Sequence, residues 1–514
     1  MGTTALDTTP FWSTSGTISP FPRLTRNLTS DVVVVGGGVT GLTAAYELAR
    51  GGRRVVLLER ERCASIDTGH TSSHLTMVTD TPLRELAKHF GPSHAQAAWD
   101  AGLAAIARVD QIVREHRIAA DFAWVDGYLH APAGEVNTRA REHLREEADR
   151  ARELGFDAEF IDAVPLTGLP GVRYLNQARL HPRKYLAGVA DAVVSSGGHV
   201  FEHSEVAEFS ESPRRVRVDD HWITCTDVVI ATHNPIVGLA SFLGSTLLQT
   251  KLALYTSYVI AARVAAGSVP DALWWDTGDP YDYIRLEPQR GYDVVIFGGE
   301  DHKTGQETDT AAAHQRLEQR LRKLVPDAEV THHWSGQVIE TPDGLPYVGK
   351  TAPHQYSATG YSGNGITFGT LAGMMIADAI SGRSNPWTEL FEPGRKALTR
   401  GLWDYIKENA DYPYYLIRDR FAGADGDSLR AVRRGHGKII KRDGKLVAAY
   451  RDDDGAISLR SATCTHLGCH VAWNPAERTW DCPCHGSRFK PSGDVISGPA
   501  EAPLDEAPDQ KSEG

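Results

Sequence analysis

The sequence predicts an α/β nucleotide-binding domain combined with an antiparallel sheet, followed by a small separate domain near the C-terminal end. A glycine-rich turn at residues 36–41 lies between an apolar run and a helical pattern. Residues 248–300 alternate between apolar and polar side chains in the manner of antiparallel strands. Residues 464–487 contain two short loops that each carry cysteine and histidine, which is typical of a metal centre.

The composition and charge of the chain argue against several classes of protein. The chain has 514 residues, which is room for several domains with large cores. Its net charge of −12 argues against a general nucleic-acid binder. No apolar run reaches the length of about 18 residues that suggests a membrane span. The first residues lack the basic and apolar pattern of a secretory signal. We therefore expect a cytoplasmic protein without a membrane anchor.

The glycine-rich turn has the features of a dinucleotide site. Gly36 allows the tight turn, Gly38 lets a pyrophosphate approach the backbone, and Gly41 lets the helix pack closely on the strand. A second apolar run then ends in Glu59, where a carboxylate binds ribose hydroxyls, and Arg60 beside it is assigned to the same site. Strand, turn, helix, second strand and terminal acid together make this prediction specific. No second glycine fingerprint follows, so the sequence does not predict a separate NAD(P)H site.

The two cysteine and histidine loops match the ligand set of a [2Fe–2S] cluster in which two imidazoles replace two thiolates. The predicted ligands are Cys464, His466, Cys482 and His485. A zinc site is the alternative, because two cysteines and two histidines also bind zinc. Zinc fingers, however, pair cysteine with cysteine and histidine with histidine. Zinc also leaves Cys469 and Cys484, one in each loop, without a role.

Residues 425–505 resemble a Rieske domain of the cytochrome bc/b6f type, which implies a small all-β fold. In that family the cysteines equivalent to Cys469 and Cys484 form a disulfide, and the serine equivalent to Ser487 hydrogen-bonds a cluster sulfur. Phe489 stands where those proteins often carry a tyrosine whose hydroxyl reaches a ligand sulfur. Because that hydrogen bond is missing here, we expect a lower reduction potential than that of the tyrosine-bearing proteins.

Residues 31–385 resemble the D-amino-acid oxidase/glycine oxidase superfamily, and within it the branch that includes gamma-glutamylputrescine oxidoreductase. The resemblance implies an FAD-binding Rossmann-like domain with an antiparallel-sheet substrate domain. Several relatives attach the flavin covalently through a histidine or cysteine, but that position reads Ser73 here, so we expect non-covalent FAD. The small hydroxyl residues nearby could contact phosphate or flavin. Further residues assigned to FAD are Thr71, Ser72, Val206, Gly363, Gly365 and Ile366.

The substrate domain is predicted to bind an amine. Family members that oxidise α-amino acids often hold the carboxylate with an arginine, but the corresponding residues 337–339 read Gln-Val-Ile. An aromatic cluster could instead cage an amine, although ordinary sheet core is the simpler interpretation of any one ring. The pocket candidates are Tyr258, Tyr283 and Arg285. The stretch at 299–305 looks like a motif of this branch, and the sequence assigns it no role.

The predicted domain boundaries follow these patterns. Residues 1–30 are expected to lie extended over the surface, and residues 205–207 to form a strand. The predicted segments are an N-terminal extension at 1–30, an oxidoreductase at 31–385, a linker at 386–424, a Rieske domain at 425–505 and a disordered tail at 506–514. Within the oxidoreductase, FAD binding is assigned to about 31–80, 170–235 and 345–385, and the substrate domain to about 81–169 and 236–344.

The predicted function is FAD-dependent dehydrogenation of an amine or amino-acid-like substrate. Electrons are expected to pass from the reduced flavin to the cluster and then to an external acceptor. One alternative is a flavin oxidase that uses O2 and has a structural or regulatory cluster, and another is an electron-transfer component for a partner oxygenase. An oxygenase site of its own would need two histidines and a carboxylate on one helix, which the sequence lacks. A carrier with a vestigial flavin domain would not retain two intact glycine turns. The sequence does not specify the oligomeric state.

Overall fold

The computed structural model describes residues 7–234, 252–307, 309–395, 429, 432–442, 444–466 and 468–507. The predicted linker at 386–424 lies outside the described residues beyond position 395, and the predicted tail at 506–514 lies outside them beyond position 507. Among the described residues, none of the helices combines the length and the apolar character needed to cross a lipid bilayer.

The nucleotide-binding sheet consists of short apolar strands. In spatial order they are β18 (Tyr347–Ala352), β19 (Gln355–Thr359), β12 (Asp227–Ile230), β2 (Val32–Val35), β3 (Val55–Leu58) and β8 (His199–Phe201). Neighbours are parallel from β19 to β8, and β18 runs antiparallel to β19. Every residue of β2 and β3 is buried, as expected for parallel strands covered on both faces.

Helices cover one face of this sheet and share a single hydrophobic core with it. They are α2 (Val39–Arg50), α4 (Pro92–His116), α6 (Pro182–Ser195) and α8 (Gly365–Ile380). Two glycines let α8 approach α2 closely, because a Cβ at Gly369 would lie 2.5 Å from Cγ1 of Val39 and one at Gly373 would lie 2.7 Å from Cβ of Thr43. Further helices are α3 (Leu83–Phe90), α5 (Thr138–Glu153), α7 (Thr310–Leu324) and α9 (Thr388–Phe391).

The substrate sheet is larger and mostly antiparallel. Its strands are, in order, β17 (Glu329–Glu340), β13 (Ala253–Val264), β16 (Tyr292–Lys303), β15 (Tyr283–Gln289), β14 (Ala272–Asp276), β5 (Ala123–His130), β7 (Gly171–Arg179) and β4 (His74–Leu75), with β6 (Ala158–Ile161) beside β7. The long strands β13, β16 and β17 confirm the alternation read in the sequence. Side chains of successive residues point to opposite faces of this sheet. The face that borders the cavity described below is called the cavity side, and the other face is called the outer side.

The N-terminal extension differs from its prediction. Instead of lying extended over the surface, it forms a short helix, α1 (Phe11–Ser15), and both Phe11 and Trp12 are buried. The Trp12 indole donates a hydrogen bond to the Thr71 carbonyl oxygen at 2.7 Å. The apolar rings explain the difference, because they are buried against apolar residues of the substrate sheet.

A second correction concerns residues 205–207, which form no strand. The next strand is β9 (Glu208–Glu211), which joins a small sheet with β10 (Arg214–Val218), β11 (His221–Thr224) and β1 (Leu28–Thr29). In residues 204–207 the backbone instead follows the edge of the cavity, where Val206 belongs to the lining.

The C-terminal domain is all β in the residues that are described. One sheet contains β20 (His436–Arg442), β21 (Lys445–Arg451) and β22 (Ile457–Ser461). The other contains β23 (Ala472–Asn474), β24 (Thr479–Asp481), β25 (Arg488–Phe489) and β26 (Val495–Ser497). The two cysteine and histidine loops precede β23 and follow β24, so the sheet holds them side by side.

Candidate active site and cluster centre

A cavity of about 1700 Å³ is lined by both the nucleotide-binding sheet and the substrate sheet. The glycine-rich turn and the C-terminal glycine turn at 362–366 both border it. The lining also includes residues 494–501 of the C-terminal domain. Three parts of the chain that are distant in sequence therefore meet around one space.

The glycine-rich turn has the geometry that a dinucleotide needs. Gly36 has a φ of 107°, and a Cβ there would lie 2.4 Å from the Ala231 carbonyl oxygen. A Cβ at Gly41 would lie 1.9 Å from the Gly36 carbonyl oxygen, so only glycine permits this contact. The Glu59 carboxylate accepts a hydrogen bond from the Gly37 N–H at 2.6 Å and borders the cavity. These residues fit the pyrophosphate and ribose of a dinucleotide.

The other residues assigned to FAD border the same cavity: Arg60, Thr71, Ser72, Val206, Gly363, Gly365 and Ile366. Helix α8 begins at Gly365, so its free N–H groups face this region. Ser73 is buried, and its hydroxyl donates to the Leu180 carbonyl oxygen at 3.1 Å. That hydrogen bond satisfies the side chain without a covalent link.

Of the three predicted pocket residues, the structure brings only Tyr283 to the cavity, where its hydroxyl lies 2.8 Å from that of Ser257. Tyr258 faces the outer side of β13, where its ring packs against His302 and His314, since strand alternation turns it away from its neighbour Ser257. Its position in the core corrects the prediction.

Arg285 is the second correction. Its side chain is fully buried, where it donates to the carbonyl oxygens of Ser73 at 2.7 Å and Leu180 at 3.0 Å and pairs with Glu287. These contacts use the guanidinium to support the backbone behind the cavity, so it cannot anchor a substrate carboxylate there.

Trp275 and Tyr281, two rings of the aromatic cluster predicted from the sequence, also line the substrate side of the cavity. Sequence reasoning missed two acids that line the same side, Asp80 and Asp301. Asp301 lies within the stretch at 299–305 that carried no assigned role, and its Oδ1 is buried without a hydrogen-bond partner. The available signal was an acid in a strand that contains an apolar run, where a carboxylate is unusual.

The cluster loops bring their four predicted ligands together. The imidazole rings of His466 and His485 have centroids 4.9 Å apart and stand perpendicular. The thiols of Cys464 and Cys482 are hydrogen-bonded to each other. The Nδ1 of His466 is buried and has no hydrogen-bond partner, which is costly unless a metal takes its lone pair. Two thiols and two imidazoles in this arrangement fit a [2Fe–2S] cluster with mixed ligands.

The remaining two cysteines of the loops confirm the expected disulfide, which joins Cys469 and Cys484. Their sulfurs lie within 4.8 Å of the Cys482 sulfur, so the disulfide adjoins the thiol pair. Ser487 is fully buried, and its Oγ accepts a hydrogen bond from the Ala500 N–H at 3.1 Å. Phe489 is also fully buried and brings no hydroxyl to the site.

The cluster loop docks on the outer side of the substrate sheet. Gln337 on β17 donates from Nε2 to the Gly486 carbonyl oxygen at 2.8 Å. A Cβ at Gly486 would lie 2.7 Å from Cβ of Leu254, and one at Gly305 would lie 2.8 Å from the Pro483 nitrogen. The stretch at 299–305 therefore forms part of the docking surface, which gives it a structural role.

A buried charge network strengthens this interface. Arg488 pairs with Glu477, and its Nε lies 3.3 Å from Oδ1 of Asp481. Glu477 also accepts a hydrogen bond from the Ser335 hydroxyl of β17 at 2.5 Å. On α7, the Thr310 hydroxyl donates to Asn474 at 2.8 Å. Every partner is hydrogen-bonded across or beside the interface, which is the condition under which buried charges are tolerated.

Comparisons with known proteins agree with this geometry. Residues 31–379 match the family model described as FAD dependent oxidoreductase, and residues 427–508 match the Rieske [2Fe-2S] domain. Protein YhfW of Bacillus subtilis is 32% identical over 501 residues, which is 96% of each chain. Gamma-glutamylputrescine oxidoreductase of Escherichia coli is 24% identical over 417 residues, which covers 78% of this chain and 96% of that one.

Among solved structures, glycine oxidase from Geobacillus kaustophilus has the same fold over 72% of this chain and all of its own, with a TM-score of 0.57 and 20% identity. The match to the Rieske domain excludes the zinc alternative. The cofactors are therefore FAD and a [2Fe–2S] cluster. The glycine cradle and the paired thiols and imidazoles fit both groups. The chain therefore belongs to the FAD dependent oxidoreductase family and carries a Rieske [2Fe-2S] domain at its C-terminal end.

Proposed function

We propose that this enzyme oxidises an amine without an α-carboxylate and delivers the two electrons singly, through the Rieske cluster, to an external acceptor. When bound, FAD supplies the two-electron oxidation of the C–N bond to an imine, and the cluster supplies one-electron transfer. Water then hydrolyses the imine. Cys464, His466, Cys482 and His485 are proposed to hold the cluster, and the glycine turns to hold FAD.

The observation that carries this proposal is the docking of the cluster loop opposite the cavity. Ser257 and Gly336 pair across β13 and β17 and border the cavity, while the next pair, Thr256 and Gln337, shares the outer side. Gln337 also reaches the cavity edge and bonds Gly486, the residue after His485. A single layer of the substrate sheet therefore lies between the cavity and the cluster loop.

The preference for an amine rests on the charges that face the cavity. Among the described residues of the substrate sheet that border it, none is arginine or lysine, and the arginines Arg84 and Arg139 border it from helices α3 and α5 instead. Asp301 borders the same space beside Trp275, Tyr281 and Tyr283. An ammonium would be favoured by the carboxylate and by the faces of the rings.

Asp301 is proposed to take the proton of the substrate ammonium before oxidation. The N–H bond would break, a carboxyl O–H bond would form, and the nitrogen would keep its lone pair. Burial raises the pKa of Asp301 to about 7, close to the ordinary working range of a general base. The charged groups around it are Asp80, Asp282 and Glu300, of which the last two pair with Arg320.

Anaerobic stopped-flow spectroscopy with freeze-quench EPR tests the electron route. A panel of secondary amines, polyamines and N-methyl compounds would identify a substrate by bleaching of the flavin. We then expect reduction of the cluster to follow within a single turnover. The Cys464→Ser variant, assayed with FAD in excess, provides the control, because its flavin should still bleach while no cluster signal develops. If the wild-type flavin bleaches and its cluster stays oxidised, the proposed route is refuted.

The role of Asp301 has its own test. Asp301→Asn should lower kcat/KM at least tenfold and remove a limb of the pH profile near 7, because the ionised fraction of Asp301 rises through that pH. Asp282→Asn is the matched control, since this neighbouring acid pairs with Arg320 at 2.7 Å. Equal profiles for the two variants would contradict the assignment.

A further inference from the structure

We propose that the Rieske domain forms part of the FAD site, so that loss of the cluster weakens the binding of FAD at its adenosine end. The part of the domain concerned is residues 495–503, named here the bridging segment. This inference assigns a binding role to a stretch that belongs to the cluster domain, and it requires no electron transfer. It is therefore independent of the proposed substrate and acceptor.

The bridging segment borders the cavity next to the residue that marks the ribose position. The Ile496 carbonyl oxygen accepts a hydrogen bond from Arg60 Nη2 at 2.8 Å. Just before the segment, Lys490 pairs with Glu61 at 3.2 Å. Arg60 and Glu61 directly follow Glu59, the acid that ends the second strand of the fingerprint. The Rieske domain thus touches the oxidoreductase where a dinucleotide places its adenosine.

Another part of the cavity wall near this position comes from the oxidoreductase. Residues 204–209, which include Val206, line the cavity together with the segment from Val495 to Glu501. Arg60 also lies 3.9 Å from Glu205, so it links the two walls. A ligand that fills this end of the cavity would contact both domains at once.

The other side of the bridging segment is fastened to the cluster loops. The Ala500 N–H donates to the Ser487 hydroxyl oxygen at 3.1 Å, and the Thr465 hydroxyl donates to the Ala502 carbonyl oxygen at 2.6 Å. A Cβ at Gly498, whose φ is 91°, would lie 2.5 Å from Cα of Ser487. Thr465 stands between the predicted ligands Cys464 and His466.

One segment therefore contacts the cluster loops and the cavity wall at the same time. A bound cluster cross-links two loops through metal–ligand bonds, and a structural metal of this kind contributes directly to the folding of its surroundings. Without those bonds the disulfide between Cys469 and Cys484 still joins the loops, but Ser487 and Thr465 hold the bridging segment less firmly. The adenosine end of the cavity then lacks one wall, whereas the glycine turn at 362–366, which borders the cavity elsewhere, belongs to the oxidoreductase.

The difference between the two ends leads to a direct experiment with the full-length chain. Flavin is removed from the wild type and from Cys464→Ser, which lacks a cluster ligand, and FAD or FMN is titrated back while flavin fluorescence is recorded. FMN lacks the adenosine, so it reports on the flavin end alone. We expect the dissociation constant for FAD to rise about tenfold or more in the variant, while that for FMN stays within about twofold, since every 1.4 kcal/mol of lost contact corresponds to a factor of ten.

Thr465→Val provides a second variant that keeps the cluster ligands and removes one hydroxyl that holds the bridging segment. It should weaken FAD binding in the same direction, again without affecting FMN. Asp453→Asn is the control within the same domain, because its exposed pair with Arg478 at 2.8 Å lies away from the segment. Unchanged FAD affinity in Cys464→Ser would overturn the proposal, as would equal losses for FAD and FMN, which would indicate general unfolding.

Discussion

Replacing Glu477 by glutamine should destabilise the Rieske domain by about 3 kcal/mol. Removing one partner of a buried ion pair costs about 3–5 kcal/mol, because the remaining charge stays desolvated. Here Arg488 keeps Asp481 at 3.3 Å, so the lower end of that range applies. The amide can still accept from Ser335, so the hydrogen bond across the interface is retained. The substitution therefore removes the charge of Glu477 and keeps its hydrogen bond to Ser335.

Urea unfolding measures this loss if two signals are followed. The visible circular dichroism of the cluster reports on the Rieske domain, and flavin fluorescence reports on the oxidoreductase. With a slope of about 1–3 kcal/mol per molar urea, the cluster midpoint should fall by about 1 M or more. Asp453→Asn is the exposed control, and it should cost less than about 1 kcal/mol. If Glu477→Gln costs no more than this control, the network does not stabilise the interface as argued.

The same variant has a pH signature. Burial alone would raise the pKa of Glu477, but the Arg488 charge and the Ser335 hydroxyl outweigh burial, so the pKa is lowered from its ordinary value of 4.5. A lowered folded-state pKa gives stability that is present above the unfolded value and is lost as the pH falls through the folded value. The stability difference between wild type and Glu477→Gln should therefore be largest above pH 4.5 and shrink in more acidic solution.

Three further substitutions test other parts of the molecule. Gly41→Ala should yield protein that retains little FAD, because the new Cβ would lie 1.9 Å from the Gly36 carbonyl oxygen. The flavin absorbance of the purified protein measures the bound FAD, and full occupancy would contradict this prediction. Replacing Cys469 and Cys484 together by serine should cost the Rieske domain about 3 kcal/mol, as expected for a loop of about 15 residues, and urea unfolding followed through the cluster would show it. Phe489→Tyr should raise the reduction potential of the cluster by adding a hydroxyl near a ligand sulfur, and an unchanged value in an EPR-monitored titration would refute that reasoning.

The parts of the site that the sequence predicts correctly are those set by local spacing. The turn at Gly36 needs glycine because its φ is 107°, and the place of this residue in the fingerprint shows that requirement in the sequence itself. The disulfide between Cys469 and Cys484 is likewise expected from the resemblance of two short loops. In both cases a few neighbouring residues specify the geometry, so no knowledge of the distant chain is needed.

The parts that the sequence did not predict depend on which face of a strand a residue occupies. Tyr258 and Ser257 are neighbours, yet one packs in the core and the other borders the cavity. The pairing of β13 with β16 shifts register between Thr256 and Tyr258, so even an exact strand boundary would not assign the faces. The docking role of Gly305 depends on Pro483, which is far away in sequence. Such contacts follow from tertiary structure rather than from local pattern.

The short helix α1 has a consequence for the order in which the protein matures on the ribosome. Phe11 and Trp12 emerge long before two of their neighbours in the core, Ile296 and Trp334, which are synthesised about 300 residues later. Until those strands have left the exit tunnel, the side chains of Phe11 and Trp12 have no native surface to cover them. The backbone beside Thr71, which Trp12 holds, therefore reaches its final form only after most of the oxidoreductase has been translated.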